Sequence, residues 1–123
     1  MLHHELTDRI IGCAIEVHRS LGPGLTEYSY QSALGLEMQA QSIPFVAEPS
    51  FKVRFRDVVV GWHRPDFVVD DLVVVELKAV AHLESVFTKQ VLTYLKVTGL
   101  RVGLLMNFNV ASMNLGGIKR FIL

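Results

Sequence analysis

Val73-Val74-Val75-Glu76-Leu77-Lys78 is the stretch on which the fold turns. A short continuous run of β-branched and aliphatic residues reads as a strand, and one apolar on both faces is a central strand covered on both sides. Two charges interrupt this run. Side chains alternate along a strand, so Val74, Glu76 and Lys78 share one face while Val75 and Leu77 take the other. Buried charges need a partner, a metal or a cavity. The run therefore predicts a central strand with a polar site on one face.

Working upstream, Asp66 to Val69 is predicted as a short strand, with Asp70-Asp71 marking the turn between the two. Pro65 keeps Arg64 out of helical geometry. The parity of the turn decides the site. A two-residue loop pairs Val69 with Leu72 and Asp66 with Val75, leaving Asp66 on the face away from Glu76. A three-residue loop, Asp70 to Leu72, pairs Asp66 with Glu76 instead. A joint site requires the odd-length turn or an equivalent bulge.

Farther out, Leu6, Ile10, Cys13, Ile15 or Val17, and Leu21 approximate a helical stripe, with Thr7 as a candidate cap. Gly22-Pro23-Gly24 is a tight corner. A second helix is predicted from Leu25 or Thr26 to about Gln41, its apolar matter drawn from Leu25, Tyr28, Ala33, Leu36, Met38 and Ala40. Phe45 to Val60 is strand material. Within it, Phe51-Lys52-Val53-Arg54-Phe55-Arg56 alternates aromatics on one face and bases on the other, and Asp57 starts a turn or bulge. Leu83 to Leu95 or Lys96 reads as a helix ended by Thr98-Gly99, Arg101 to Phe108 as a buried strand, and Ile118 to Leu123 as a short terminal strand or tail. The expected architecture is one α/β domain over residues 1–123 with a mixed sheet.

The chain of 123 residues is half hydrophobic and has no net charge. That composition excludes a disordered chain, and neutrality argues against a broad nucleic-acid-binding surface. The charge is unevenly placed, however, because no acid follows Glu84 while Lys89, Lys96, Arg101, Lys119 and Arg120 do. A local basic face and ordinary solvated side chains both account for this. Cys13 is the sole cysteine, so an internal disulfide and a cysteine-rich zinc site are excluded. The opening residues are too polar for a signal peptide, and no run is long enough for a membrane helix. A cytoplasmic protein is expected.

Carboxylates on adjacent strands can hold Mg²⁺ or Mn²⁺, which prefer oxygen ligands. A water activated by the metal could attack a phosphodiester, and Lys78 could position it or stabilise charge on the phosphate. A structural ion pair or an edge-strand placement accounts for the same charges without chemistry.

Asp66, Glu76 and Lys78, with Pro65 before the aspartate, resemble the P-D…(D/E)-x-K motif of the restriction-endonuclease-like superfamily. That superfamily's α-β-β-β-α-β core is similar to the order read above. Gly24-Leu25-Thr26-Glu27-Tyr28-Ser29-Tyr30 further resembles the G-x-x-E-x-x-Y signature of a family of small proteins assigned to it. The likeness also runs through the Ile11–Gly24 helix and corner, the Gln90–Leu95 helix, the strand around Gly103 to Phe108 and the closing Gly117-Ile118-Lys119-Arg120.

The resemblance implies roles. Asp66 and Glu76 are the expected metal ligands, Glu27 an additional acidic ligand acting directly or through water, and Lys78 the catalytic lysine. Gln90 is expected to approach the site from its helix, with Tyr94 one turn later and Tyr30 orienting Glu27. Each has a plainer reading: Glu27 as a favourable acid at a helix start, Tyr30 as a core tyrosine, Gln90 as a solvent-facing residue. Two departures stand out. Members commonly carry histidine where this chain has Phe87, and E-x-R-x-D often precedes the aspartate where this chain has Gly61-Trp62-His63-Arg64-Pro65-Asp66. His63 and Arg64 are candidates for phosphate contact.

The resemblance implies a Mg²⁺- or Mn²⁺-dependent nuclease cutting DNA or RNA. A homodimer is expected to lengthen the groove, since no helix-turn-helix, zinc finger or aromatic stacking motif adds recognition. The alternatives are a nucleic-acid-binding or repair-associated protein with weak or lost cleavage, and a non-catalytic protein-interaction module.

Overall fold

The computed structural model describes all 123 residues. Helix α1 (His4–Leu21) and helix α2 (Glu27–Ala40) come first, followed by strands β1 (Phe45–Ala47), β2 (Phe51–Phe55), β3 (Val58–His63), β4 (Phe67–Val69) and β5 (Val73–Lys78). Helix α3 (Ser85–Thr98) then leads to β6 (Val102–Asn107) and β7 (Ile118–Ile122). A five-stranded sheet runs β1-β4-β5-β6-β7, and β2 with β3 forms a separate two-stranded ribbon. The β5–β6 pair is parallel and the other neighbours are antiparallel. Helix α3 makes the crossover that a parallel pair requires. The result is the expected mixed α/β, restriction-endonuclease-like architecture.

Strand β5 is central, and its residues from Val73 to Leu77 are all buried. Val73, Val75 and Leu77 join Leu104 and Met106 of β6 in a core roofed by α1 and α2. Val74 faces the other way, with Val68, Tyr94 and Leu95, beneath α3. Close approach of α3 to the sheet depends on Gly103, where an added Cβ would stand 2.8 Å from Val91 Cγ1.

Helix α1 buries Ile10, Cys13, Ala14 and Val17, whereas Leu21 lies exposed at its end. Thr7 is not its cap. It lies buried in the first turns, its hydroxyl donating to the His4 carbonyl and accepting from Arg120, while His3 takes the cap position with no side-chain bond. Helix α2 turns Tyr30, Leu34 and Met38 inward at a four-residue spacing, and its N-cap is Thr26, whose hydroxyl accepts from the Ser29 amide. Tyr28 and Leu36, counted among its apolar matter, are 76 % and 68 % exposed. The strand material of Phe45 to Val60 also divides differently from the expectation of one sheet. Only β1 joins the main sheet, and the β2–β3 ribbon leaves it.

Candidate active site

The site stands on the β4–β5 hairpin. Val69 pairs with Val73, so the loop is the three residues Asp70 to Leu72, the odd length a joint site requires. The turn needs left-handed backbone at Asp70 and Asp71, with φ of 52° and 55°. Aspartate tolerates that conformation better than most non-glycine residues. The Leu72 amide closes the turn on the Val69 carbonyl at 2.9 Å.

One step beyond the paired residues, Asp66 stands opposite Glu76. The Asp66 amide donates to Glu76 Oε1 at 3.1 Å, and the Leu77 amide donates to Asp66 Oδ2 at 2.7 Å. Each carboxyl group also acts on the protonation of the other. Glu76 is only 5 % exposed. Burial, then the neighbouring Asp66 charge, pushes its carboxyl up to about 8, against the opposing pull of Lys78. Asp66 is raised as well, chiefly by burial, with the Leu77 amide and Lys78 working the other way.

Lys78 closes the row, its Nζ 3.4 Å from Glu76 Oε2 and 4.8 Å from the Phe87 ring centroid. Phe87, in the first turn of α3, thus lays an aromatic face against the ammonium where the resemblance expects histidine. Just beyond, buried Asn107 accepts from the Val80 and Asn109 amides and donates to the Val80 carbonyl. This satisfies loop backbone and holds the ends of β5 and β6 together.

From α3, Gln90 lies one turn before Tyr94 on the same helical face and works to lower the pKa of its hydroxyl. Burial and then the charges of Glu76 and Asp66 push that hydroxyl up to about 12, so it remains a proton donor beside the carboxylates. The His63 ring meets Tyr94 edge-on at 5.5 Å between centroids. Arg64 instead bonds Ser50 through its Nε at 3.1 Å.

From α2, Gln31 Nε2 reaches the Asp66 carbonyl at 3.5 Å. Glu27 lies exposed one turn earlier, on the same helical face and about 6 Å along the axis. Tyr30 does not orient Glu27. Its buried hydroxyl donates to the Gly22 carbonyl at 2.5 Å and accepts from the Leu25 amide at 3.2 Å, pinning the Gly-Pro-Gly corner. Its ring stacks on Phe108 at 4.6 Å.

No group of three or more His, Cys, Asp or Glu is placed to hold a metal ion. Asp66 and Glu76 nonetheless fit Mg²⁺ or Mn²⁺. Magnesium commonly takes one or two carboxylates and completes its shell with water and substrate phosphate. Two neighbouring carboxyls raised chiefly by burial, Glu76 also by the charge of Asp66, are also what a divalent cation would relieve.

Two neighbours of the site escaped the sequence reading, Phe87 and Gln31. Phe87 counted only as a departure, and Gln31 lies one turn after Glu27, a spacing that could have drawn attention to it.

No helix is long and apolar enough to cross a membrane. No curated protein and no solved structure matches the chain. Residues 4–121 match the family model of the PD-(D/E)XK nuclease superfamily, whose members generally use divalent metals and act on nucleic acid. The match spans nearly the whole chain, and the protein belongs to the PD-(D/E)XK nuclease superfamily.

Proposed function

We propose that the protein is a metal-dependent nuclease hydrolysing phosphodiester bonds of DNA or RNA. The observation that carries this is the contact between Asp66 and Glu76 on adjacent strands, with Lys78 beside them on the same face. Asp66 and Glu76 would hold Mg²⁺ or Mn²⁺, which when bound supplies Lewis acidity toward the phosphate and lowers the pKa of water. Lys78 presents its ammonium at the site's edge, where it attracts the scissile phosphate and offsets charge developing on it. Phe87 limits the swing of that ammonium. Tyr94, buried with Val74 on the sheet face that Glu76 shares, lines the site from α3, with Gln90 one turn before it. Glu27 extends the acidic surface from α2, toward the cation or a water beside it. His63 approaches through Tyr94, and Arg64 would leave its bond to Ser50 to meet substrate.

The finer assignment to the G-x-x-E-x-x-Y proteins belongs to this proposal. Its support is the distinct task of each element of the signature: Gly24 takes φ of 100°, Tyr30 pins the corner, and Glu27 shares the face of Gln31. A single domain over residues 1–123 is supported by a core that draws on α1, α2 and the sheet together. A homodimer is supported by exposed Tyr28 and Leu36 beside Phe45 on one apolar groove. A cytoplasmic location is consistent with the free thiol of Cys13.

The test is a panel of single-stranded, duplex, branched and RNA substrates with Mg²⁺ or Mn²⁺, alongside calorimetric titration of Mn²⁺. Cleavage should stop with chelator and fall about a hundredfold or more in Lys78→Ala. Mn²⁺ binding should be lost in Asp66→Asn. Cleavage that survives chelation, or that neither substitution alters, overturns the reading. Phe87 in the place of histidine favours a second reading, a nucleic-acid-binding protein of weak cleavage. That reading expects tight binding with no metal-dependent product.

A further inference from the structure

We propose that the β2–β3 ribbon is a binding element for unpaired nucleic acid, stacking a base on Trp62 and holding backbone phosphates on Lys52 and Arg54. The ribbon departs from the main sheet and carries apolar side chains into solvent: Phe55 at 60 %, Val58 at 61 %, Val60 at 60 % and Trp62 at 57 % exposure. An exposed apolar patch of this kind marks a binding surface. Cations are set among these side chains, and Asp57 is the ribbon's one acid. Lys52 pairs across the strands with Trp62, and Arg54 with Val59, so both bases share the outer face with the indole. Lys52 Nζ lies 5.8 Å from the Trp62 ring centroid. A flat aromatic platform flanked by cations suits a base and its phosphates.

The ribbon also continues into the site. His63, next to Trp62, meets Tyr94 beside the carboxylates. Trp62 and Asp66 are four residues apart in sequence, a span of at most about 14 Å. A strand stacked on Trp62 would therefore lie within a few nucleotides of Asp66 and Glu76, and this delivery role rests on the nuclease reading above. A duplex keeps its bases stacked on one another and would meet the ribbon through phosphates or a groove, leaving the indole unused. A second copy docking by this face across a twofold axis would set its cations against their own equivalents.

Trp62 is the only tryptophan, so its emission reports the ribbon alone. The full chain in chelator, where metal-dependent cleavage is off, is titrated with a fluorescein-labelled mixed-sequence single strand and with the matching duplex. Anisotropy gives affinity, and indole emission gives contact. The expected result is saturable quenching by the single strand, with the duplex about tenfold weaker or worse. Trp62→Ala should weaken single-strand binding about tenfold, and Lys52→Ala should lower the salt slope by about 0.7. Circular dichroism of the variants should match the parent, since both side chains are exposed. The proposal is overturned by a strand that binds without quenching, by equal duplex binding, by unchanged affinity in Trp62→Ala, or by no binding at low salt. It is also overturned by a dimer that Trp62→Ala dissociates. Quenching without cleavage in Mg²⁺ or Mn²⁺ removes the nuclease reading and leaves the ribbon's binding role. Cleavage with unchanged affinity in Trp62→Ala removes the ribbon's role and leaves the nuclease.

Discussion

Glu76 is where local chemistry and stability meet most directly. Burial and then the Asp66 charge push its carboxyl up to about 8 from the ordinary 4.5. Between those values the native state holds more protons than the unfolded chain, so stability must fall as pH rises through that window. The slope approaches about 1.4 kcal/mol per pH unit if one proton is involved. Denaturant titrations across pH should show this decline, level above pH 8, and Glu76→Gln should flatten it. Phe87 carries a second prediction. Removing the ring in Phe87→Ala frees the Lys78 ammonium, so cleavage should slow about three- to tenfold at unchanged oligonucleotide affinity. Phe87→His instead places an imidazole against Lys78. Its activity should fall below about pH 6.5, where an imidazolium would repel the ammonium, and pH–rate profiles of the pair would show it. Glu76 and Lys78 were legible in the sequence because period-two alternation is a local rule, whereas Asp66 joined them through the resemblance and a turn parity that the residues left open. The Phe87–Lys78 contact joins a helix to a strand across a loop, and no local rule reaches it.

Each element shows a similar division between local pattern and tertiary context. Strand β5 was readable because an apolar run that long has few other fates. Helix α2 was readable in extent but not in orientation. Tyr30, Leu34 and Met38 face inward, while equally apolar Tyr28 and Leu36 face out, and periodicity alone does not rank competing stripes. The β2–β3 pair was legible as strands and its turn near Asp57 was expected. Its separation from the main sheet was not, because which strands pair is settled by tertiary packing, and alternation within the ribbon does not reveal it. The packing of α3 on β6 turns on Gly103. In Gly103→Ala the added methyl meets Val91, so the variant should lose about 1–3 kcal/mol in chemical denaturation. Pairing it with Val91→Ala should recover part of that loss, whereas Val91→Ala alone should be destabilising.

Across the whole molecule the two faces of the sheet divide the work. One face, under α1 and α2, is nearly all apolar and supplies the larger core. The other holds the carboxylates, Lys78 and a smaller cluster beneath α3. Arg120 ties the two ends of the chain together on the core side, donating to Thr7 Oγ1 at 2.7 Å and to the Leu2 carbonyl. Arg120→Ala should therefore lower stability by about 1–3 kcal/mol. It should also speed hydrogen exchange at the amides of the first turn of α1, while exchange in β5 and β6 changes only with global stability. Arg120 stood out in sequence only as part of a basic tail, because its partners lie at the opposite end of the chain.

The three-residue turn at Asp70 to Leu72 has a consequence for the order of assembly. Asp66 and Glu76 lie on a short hairpin whose closure involves little chain entropy, whereas β5 meets β6 only after the whole of α3 has been spanned. The acidic pair can therefore come together in a fluctuating hairpin, still in contact with water, before the parallel pairing forms. Its dehydration then coincides with the late docking of α3, so the energetic penalty of enclosing Glu76 falls on the final step. Substitutions that relieve that penalty should slow unfolding more than they alter the earliest collapse.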